Sequence, residues 1–207
     1  MAALMGIKVI FVYSHDSVAL GEDGPTHQPI EHLTTLRSTP NMHTWRTASL
    51  LETAVAWKSA IQRNDGPSSL ILTRQNIDNI ENKSFDDVSK GGYFLRKFDD
   101  SNIQLIASGS EVSLALEVAE ILEEEGIKCN VASVPCVEVL ETNKQIYEDI
   151  FTKSKINIAI ECSHPNSWYA HTKNVIGIEE FGESGKGQIL MEHFGFASNQ
   201  IVEKIKN

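Results

Sequence analysis

Hydrophobic positions fall into short unbroken runs separated by amphipathic stretches. Val9-Ile10-Phe11-Val12-Tyr13 is the first run, rich in β-branched and aromatic residues. It predicts a strand buried on both faces, as in parallel sheets. A long polar loop with glycines and prolines follows over residues 14–29. Residues 31–38 predict a short helix, stopped by Pro40 because the residue before a proline is driven out of the helical region. Residues 42–45 predict a second strand and Leu70-Ile71-Leu72 a third. Between them Ser49-Leu50-Leu51-Glu52 spells a capping box. The helix it opens carries Leu50, Ala54, Trp57 and Ile61 on one face, with Leu51 and Val55 beside them, and Asp65-Gly66-Pro67 ends it. This alternation of strand and helix is the signature of a parallel α/β sheet.

Residues 77–90 are polar and read as a linker. The alternation then resumes. Ile103-Gln104-Leu105-Ile106-Ala107 predicts a strand, and Ser110 is expected to cap a helix with the stripe Val112, Ala115, Leu116, Ala119 and Leu122, closed near Gly126. Glu123, Glu124 and Glu125 crowd the negative end of that helix, which is locally unfavourable. Further strands are predicted at 131–134, 156–160 and 175–178, and closing helices at 188–194 and 200–206.

Composition alters this picture little. The 207 residues are 41% hydrophobic and 22% charged, enough to build a core. The formal net charge of −10 repels polyanions, so nucleic acid and anionic membranes are disfavoured partners. No apolar run approaches the roughly 20 residues of a membrane span. Cys129, Cys136 and Cys162 follow no metal spacing and read as three reduced thiols of a cytoplasmic protein.

In open α/β sheets, ligands bind past the carboxyl ends of the strands. Two polar clusters lie there. One loop gathers His15, Asp16, Glu22, Asp23 and His27, with Gly21, Gly24 and Pro25 to shape it. Two imidazoles beside carboxylates can move protons near neutral pH; a solvated acidic loop is the alternative. The other cluster is Thr73-Arg74-Gln75-Asn76, where a guanidinium suits a phosphate or an acidic neighbour. Gly182-Glu183-Ser184-Gly185-Lys186-Gly187 is not a phosphate loop, because Gly187 stands where Ser or Thr is required; it reads as a strand-to-helix turn. Ser163, His164 and His171 have no evident constellation and read as surface or packing residues.

The stretch His15-Asp16-Ser17-Val18-Ala19-Leu20-Gly21-Glu22-Asp23-Gly24-Pro25-Thr26-His27-Gln28-Pro29 resembles the transketolase signature H-D-S-x-x-x-G-E-D-G-P-T-H-Q-P. Thr73-Arg74-Gln75-Asn76 is similar to the family's S-R-Q-N. Ala107-Ser108-Gly109-Ser110-Glu111-Val112 and Phe181-Gly182-Glu183-Ser184 resemble its C-terminal landmarks. The T-H-Q-P ending is that of the bacterial, plant and fungal branch. The resemblance implies an α/β chain: an incomplete parallel-sheet pyrimidine-binding domain over 1–77, a linker over 78–90, and a smaller α/β transketolase C-terminal domain over 91–207. It implies ketol transfer from xylulose 5-phosphate to ribose 5-phosphate in the pentose phosphate pathway. Thiamine diphosphate acts as electron sink, with Mg²⁺ or Ca²⁺, in a homodimeric complete enzyme. His27 is implied as the proton-transfer residue at the reacting carbon. Asp23 is implied at a sugar hydroxyl, and His15 and Arg74 at the phosphate end. Val18-Ala19 replaces a usual Ile-Gly, and Ala19 would be strained if that glycine needs positive φ.

The family's G-D-G…N metal-diphosphate motif is missing from the 207 residues, and the glutamate that activates the aminopyrimidine is expected upstream of Met1. The chain alone is therefore expected to bind no cofactor and to lack activity. Residues 1–77 in isolation are expected to be poorly ordered or to oligomerise, and residues from 91 onward to fold alone. The alternatives are one subunit of a split transketolase or dihydroxyacetone synthase, and a non-catalytic interaction module.

Overall fold

The computed structural model describes residues 1–78, 80 and 84–207. The chain runs α1 (Ala2–Met5), β1 (Ile10–Tyr13), α2 (His32–Arg37), β2 (His43–Arg46), α3 (Leu50–Gln62), β3 (Ser68–Ile71) and α4 (Phe85–Val88). It continues β4 (Tyr93–Arg96), β5 (Ile103–Ala107), α5 (Glu111–Glu124), β6 (Cys129–Ser133), α6 (Val137–Thr142) and α7 (Lys144–Phe151). It closes with β7 (Ile156–Ile160), β8 (Asn174–Ile176), α8 (Gly187–His193) and α9 (Ser198–Lys206). Among the described residues the sheets are three-stranded, β1-β3-β2, and five-stranded, β4-β6-β5-β7-β8.

The first sheet is parallel, with Val12 and Trp45 both in register with Leu70 of the central strand. Only β3 is buried throughout. β1 lies at an edge, and its Val12 and Tyr13 are 49% and 43% exposed. The two-sided burial expected of this strand therefore does not hold within this chain, because no described strand pairs with its outer side.

Helix α3 corrects the phase of the predicted stripe. Val55, Ala56 and Ala60 are buried, while Leu50 is 81% and Ile61 56% exposed and Trp57 is also turned outward. The small side chains let the helix settle close to the sheet, leaving the large ones outside. Ser49 Oγ accepts from the Glu52 amide at 3.2 Å, as predicted, but Glu52 Oε2 accepts from the Ala48 amide at 2.6 Å. The stretch read as a linker also contains structure. Ser84 and Asp87 form a capping box for α4, whose Val88 is buried in a cluster with Val55 and Leu70.

In the second sheet β4 is antiparallel to β6, and the other pairings are parallel. The hydrophobic pattern predicted neither β4 nor α6 and α7. The α5 stripe behaves as expected: Val112, Ala115, Ala119 and Leu122 are fully buried against Leu105, Val131, Ile160 and Ile201. The acidic end of α5 finds cations, Arg96 with Glu123 and Lys206 with Glu125. Ser110 does not cap the helix. Its backbone is already helical (φ −61°, ψ −26°), and its hydroxyl donates to Glu111 Oε1 at 2.7 Å.

The two units share cores. Val18 and Ile30 join the α5 cluster, and Tyr93 and Cys136 join that of Trp45 and Leu70. All three cysteines are free and buried, and burial pushes the Cys129 thiol up to about 11. No described helix is long and apolar enough to cross a membrane.

Candidate functional site

A cavity of about 700 Å³ opens past the carboxyl end of β1, where the crevice rule places ligands. Tyr13, His15 and His27 line it, with Leu33 and Leu36 of α2 and Ile71 of β3. The loop between β1 and α2 folds into two short 3₁₀ turns, Val18–Leu20 and Pro25–His27. Gly21 (φ 89°) and Gly24 (φ 79°) reverse the chain between them, in backbone regions closed to most L-residues. The reversal brings His15 and His27 together, with ring centroids 6.5 Å apart. His15 itself has φ 66°, unusual for a non-glycine residue. Ala19 is not among the described residues with positive φ, so the strain considered there does not arise.

His15 Nδ1 lies 2.9 Å from Ser14 Oγ, and His27 Nδ1 lies 3.0 Å from Thr26 Oγ1. No described residue bonds to His27 Nε2, so that nitrogen is available to a ligand in the cavity. Asp23 Oδ2 stands 3.9 Å from His15 Nε2, an ion-pair distance too long for a hydrogen bond. Asp23 is exposed and does not line the cavity. Arg74 is also exposed, at the bend after β3, and makes no hydrogen bond or ion pair among the described residues. Geometry thus joins His15, Asp23 and His27 in one group and leaves Arg74 apart from it.

Beneath the loop lies a buried ionic network. Arg46, at the end of β2, is fully buried; its Nε donates to Asp16 Oδ2 at 3.0 Å, and its Nη2 stands at an ion-pair distance of 2.8 Å from the same oxygen. It gives Nη1 to the Ser108 carbonyl at 2.8 Å and to Glu111. Arg37 of α2 grips Glu161 with two bonds of 2.6 and 2.9 Å. Glu161 Oε2 also accepts from Trp168 Nε1 at 2.7 Å and from the Ser163 hydroxyl at 3.0 Å. Burial alone would raise the Glu161 carboxyl, but Arg37 and Arg46 overcome it and hold it at about 2. Burial also tends to lower the Arg46 guanidinium, yet Glu111, Asp16 and Glu161 raise it well above its ordinary value. His171 packs among Tyr147, Phe151 and Trp168, and burial, helped by Arg37, lowers it to about 4, so it is a neutral packing residue.

Residues 1–79 match the model of the transketolase pyrimidine-binding domain, and residues 91–197 that of the transketolase-like C-terminal domain. The chain belongs to the transketolase family. It is 43% identical to transketolase 1 of Pasteurella multocida, an alignment covering 100% of this chain and 32% of that protein. Its fold superposes on the transketolase of Campylobacter jejuni with a TM-score of 0.93 at 44% identity, over 99% of this chain and 32% of the other. A Pichia stipitis transketolase crystallised with xylulose 5-phosphate matches at a TM-score of 0.94 and 38% identity, over 98% and 30%. The chain therefore spans about a third of the length of the transketolases it matches.

Thiamine diphosphate and a metal belong to the complete enzymes of this family. The donors for the metal-diphosphate end do not fit this chain. Among the described residues no group of three or more His, Cys, Asp or Glu could hold a metal ion, and no lysine or arginine lines the cavity.

The motif drew attention to His15, Asp23 and His27 but not to the charges that hold them. Asp16 and Glu111 stand within sequence motifs, but spacing names no partner for either. Arg46 and Glu161 belong to no motif, although Arg46 ends β2 and Glu161 directly follows β7. A charge in that position has to be paired, and this signal could have marked them.

Proposed function

We propose that this chain supplies the sugar-phosphate-facing wall of a transketolase active site. The reaction is transfer of a two-carbon ketol unit from xylulose 5-phosphate to ribose 5-phosphate, as in the pentose phosphate pathway. The observation that carries this reading is the convergence of His15 and His27, from opposite ends of one glycine-shaped loop, on one cavity. In this reading His27 Nε2 exchanges a proton with the substrate hydroxyl at the reacting carbon. Asp23 accepts a hydrogen bond from a neighbouring hydroxyl. His15 and, from its separate position after β3, the exposed guanidinium of Arg74 meet the phosphate, where a fork of donors matches a tetrahedral anion. A relative bearing the same sugar phosphate supports the choice of donor.

The test is a chimera in which this chain replaces the matching third of the Pasteurella multocida enzyme. With thiamine diphosphate and Mg²⁺ the chimera should turn over, and the isolated chain should not. His27→Ala should cut turnover of the chimera by roughly 10²- to 10⁴-fold, the usual weight of general acid–base catalysis. Turnover by the isolated chain, or a chimera indifferent to His27→Ala, would refute the reading.

A further inference from the structure

His27 rides on a 3₁₀ turn whose two ends are both held from the C-terminal unit. Gly24 is the N-cap of that turn and Gln28 its C-cap. Gln28 is 4% exposed, and its Nε2 donates to the Gly21 carbonyl at 2.8 Å and to the Glu183 carbonyl at 2.9 Å. A primary amide has two donor hydrogens, so both are committed and the side chain has one orientation. Gly182 lies directly against it. A Cβ on Gly182 would stand 1.8 Å from Gln28 Oε1 and 2.9 Å from Gln28 Cβ. At the other end of the turn, a Cβ on Gly24 would stand 2.6 Å from Ser184 Oγ. Residues 182–184 thus meet the turn at both ends, the Ser184 side chain at Gly24 just before Pro25 and the Gly182–Glu183 backbone at Gln28 just after His27.

We propose that residues 182–184 position the His27 imidazole, acting through Gln28 and Gly24. These are positioning residues: they contact the turn from behind and do not themselves line the cavity. The proposal gives the C-terminal unit a task in the reaction and rests on the role assigned to His27 above. The turn is only three residues long, Pro25–His27, and its caps Gly24 and Gln28 flank it directly. A shift of Gln28 is passed to the ring on the adjacent residue.

The test uses the whole chain with Gln28→Met, which removes both donors, and Gly182→Ala, which wedges a methyl against Gln28 from the far side of the interface. Thermal melts identify folded variants, and imidazole ¹H–¹⁵N spectra report each histidine. In both variants the His27 resonances should shift or split, while those of His43 and His171 stay in place. Gly182→Ala leaves the donors of Gln28 intact and carries the test where Gln28→Met unfolds. His27 resonances unchanged in a folded Gly182→Ala chain would overturn the proposal. Unfolding of both variants would also overturn it, since the contact would then hold the fold rather than the ring. In the chimera the same substitutions should lower kcat on the order of tenfold or more with KM little changed, as misplacement of a reacting group does. If His27→Ala leaves the chimera active while the resonances move, the functional reading fails and the positioning contact stands. If His27→Ala abolishes turnover and the resonances do not move, the reverse holds.

Discussion

Replacing Glu161 with glutamine isolates one element of the network that joins the two units. The carboxylate is fully buried and is gripped by Arg37 at 2.6 and 2.9 Å, with Arg46 at 3.5 Å. Its value of about 2 lies below the ordinary 4.5 despite burial, because the two guanidiniums outweigh desolvation. At about 1.4 kcal/mol per pH unit, that gap corresponds to roughly 3 kcal/mol of stability. The folded value is the lower one, so this contribution is complete above pH 4.5 and disappears as pH falls toward 2. His43 and His171 also lose stability in acid, but earlier. Burial holds each near 4 against an ordinary 6.5, so their loss runs from 6.5 down to about 4. Glu161→Gln keeps the histidine window and deletes the carboxylate one. Near neutrality the variant should be less stable by about 3–5 kcal/mol, because Arg37 is left buried without its anion. Below pH 4.5 the gap to wild type should close by roughly 3 kcal/mol. Urea midpoints across this range decide the matter. Profiles that remain parallel below pH 4.5 would show that the folded Glu161 carboxyl is not held below its ordinary value, and the account of the network would fail.

Glu52 behaves oppositely: burial raises its carboxyl, although Ser133, the Ala48 amide and Tyr93 all donate to it. Its contribution is present below the ordinary 4.5 and is lost as pH rises through the raised value, so Glu52→Gln should flatten the fall in thermal midpoint that sets in above pH 4.5. An unchanged slope would contradict this. A chain of residues 91–207 alone leaves Glu111 and Glu161 without Arg46 and Arg37, so it should be destabilised by about 3–5 kcal/mol against the whole chain. Equal urea midpoints would show that the ion pairs across the interface do not stabilise this unit. In the chimera, Arg74→Ala should raise KM for the sugar phosphate by roughly tenfold to a hundredfold, the weight of hydrogen bonds to a charged group. An unchanged KM would remove Arg74 from the phosphate.

Periodicity located most strands, because a run such as Ile103 to Ala107 is apolar at every position but Gln104 whatever surrounds it. It failed where a choice of side was needed. In α3 two apolar stripes compete, and the side carrying Ala56 and Ala60 won because small residues permit the closer approach to β3. Strand β4 was missed because Tyr93-Phe94-Leu95-Arg96 is short and pairs antiparallel with β6, outside the alternation that guided the reading. The site was legible only as far as local spacing extends. Gly21 and Gly24 explain how His15 and His27 meet. Gln28 and Glu183 are 155 positions apart, and no local pattern connects them.

The interface between the units follows a physical logic. Apolar contacts such as those of Val18 and Ile30 with the α5 cluster favour association but tolerate sliding, since hydrophobic burial has no direction. Arg46 does not tolerate it. Its Nε and Nη2 converge on Asp16, one residue from His15, while Nη1 holds the Ser108 carbonyl and Glu111 of the second unit. A small displacement would leave a fully buried cation facing the wrong atoms, at a cost of about 3–5 kcal/mol. Arg37 repeats the arrangement with Glu161. The ion pairs therefore contribute register more than net stability. The loop bearing His15 and His27 inherits that register at Asp16 below and at Gln28 above. On this argument the C-terminal unit is the frame against which the two imidazoles are set, although neither is one of its residues.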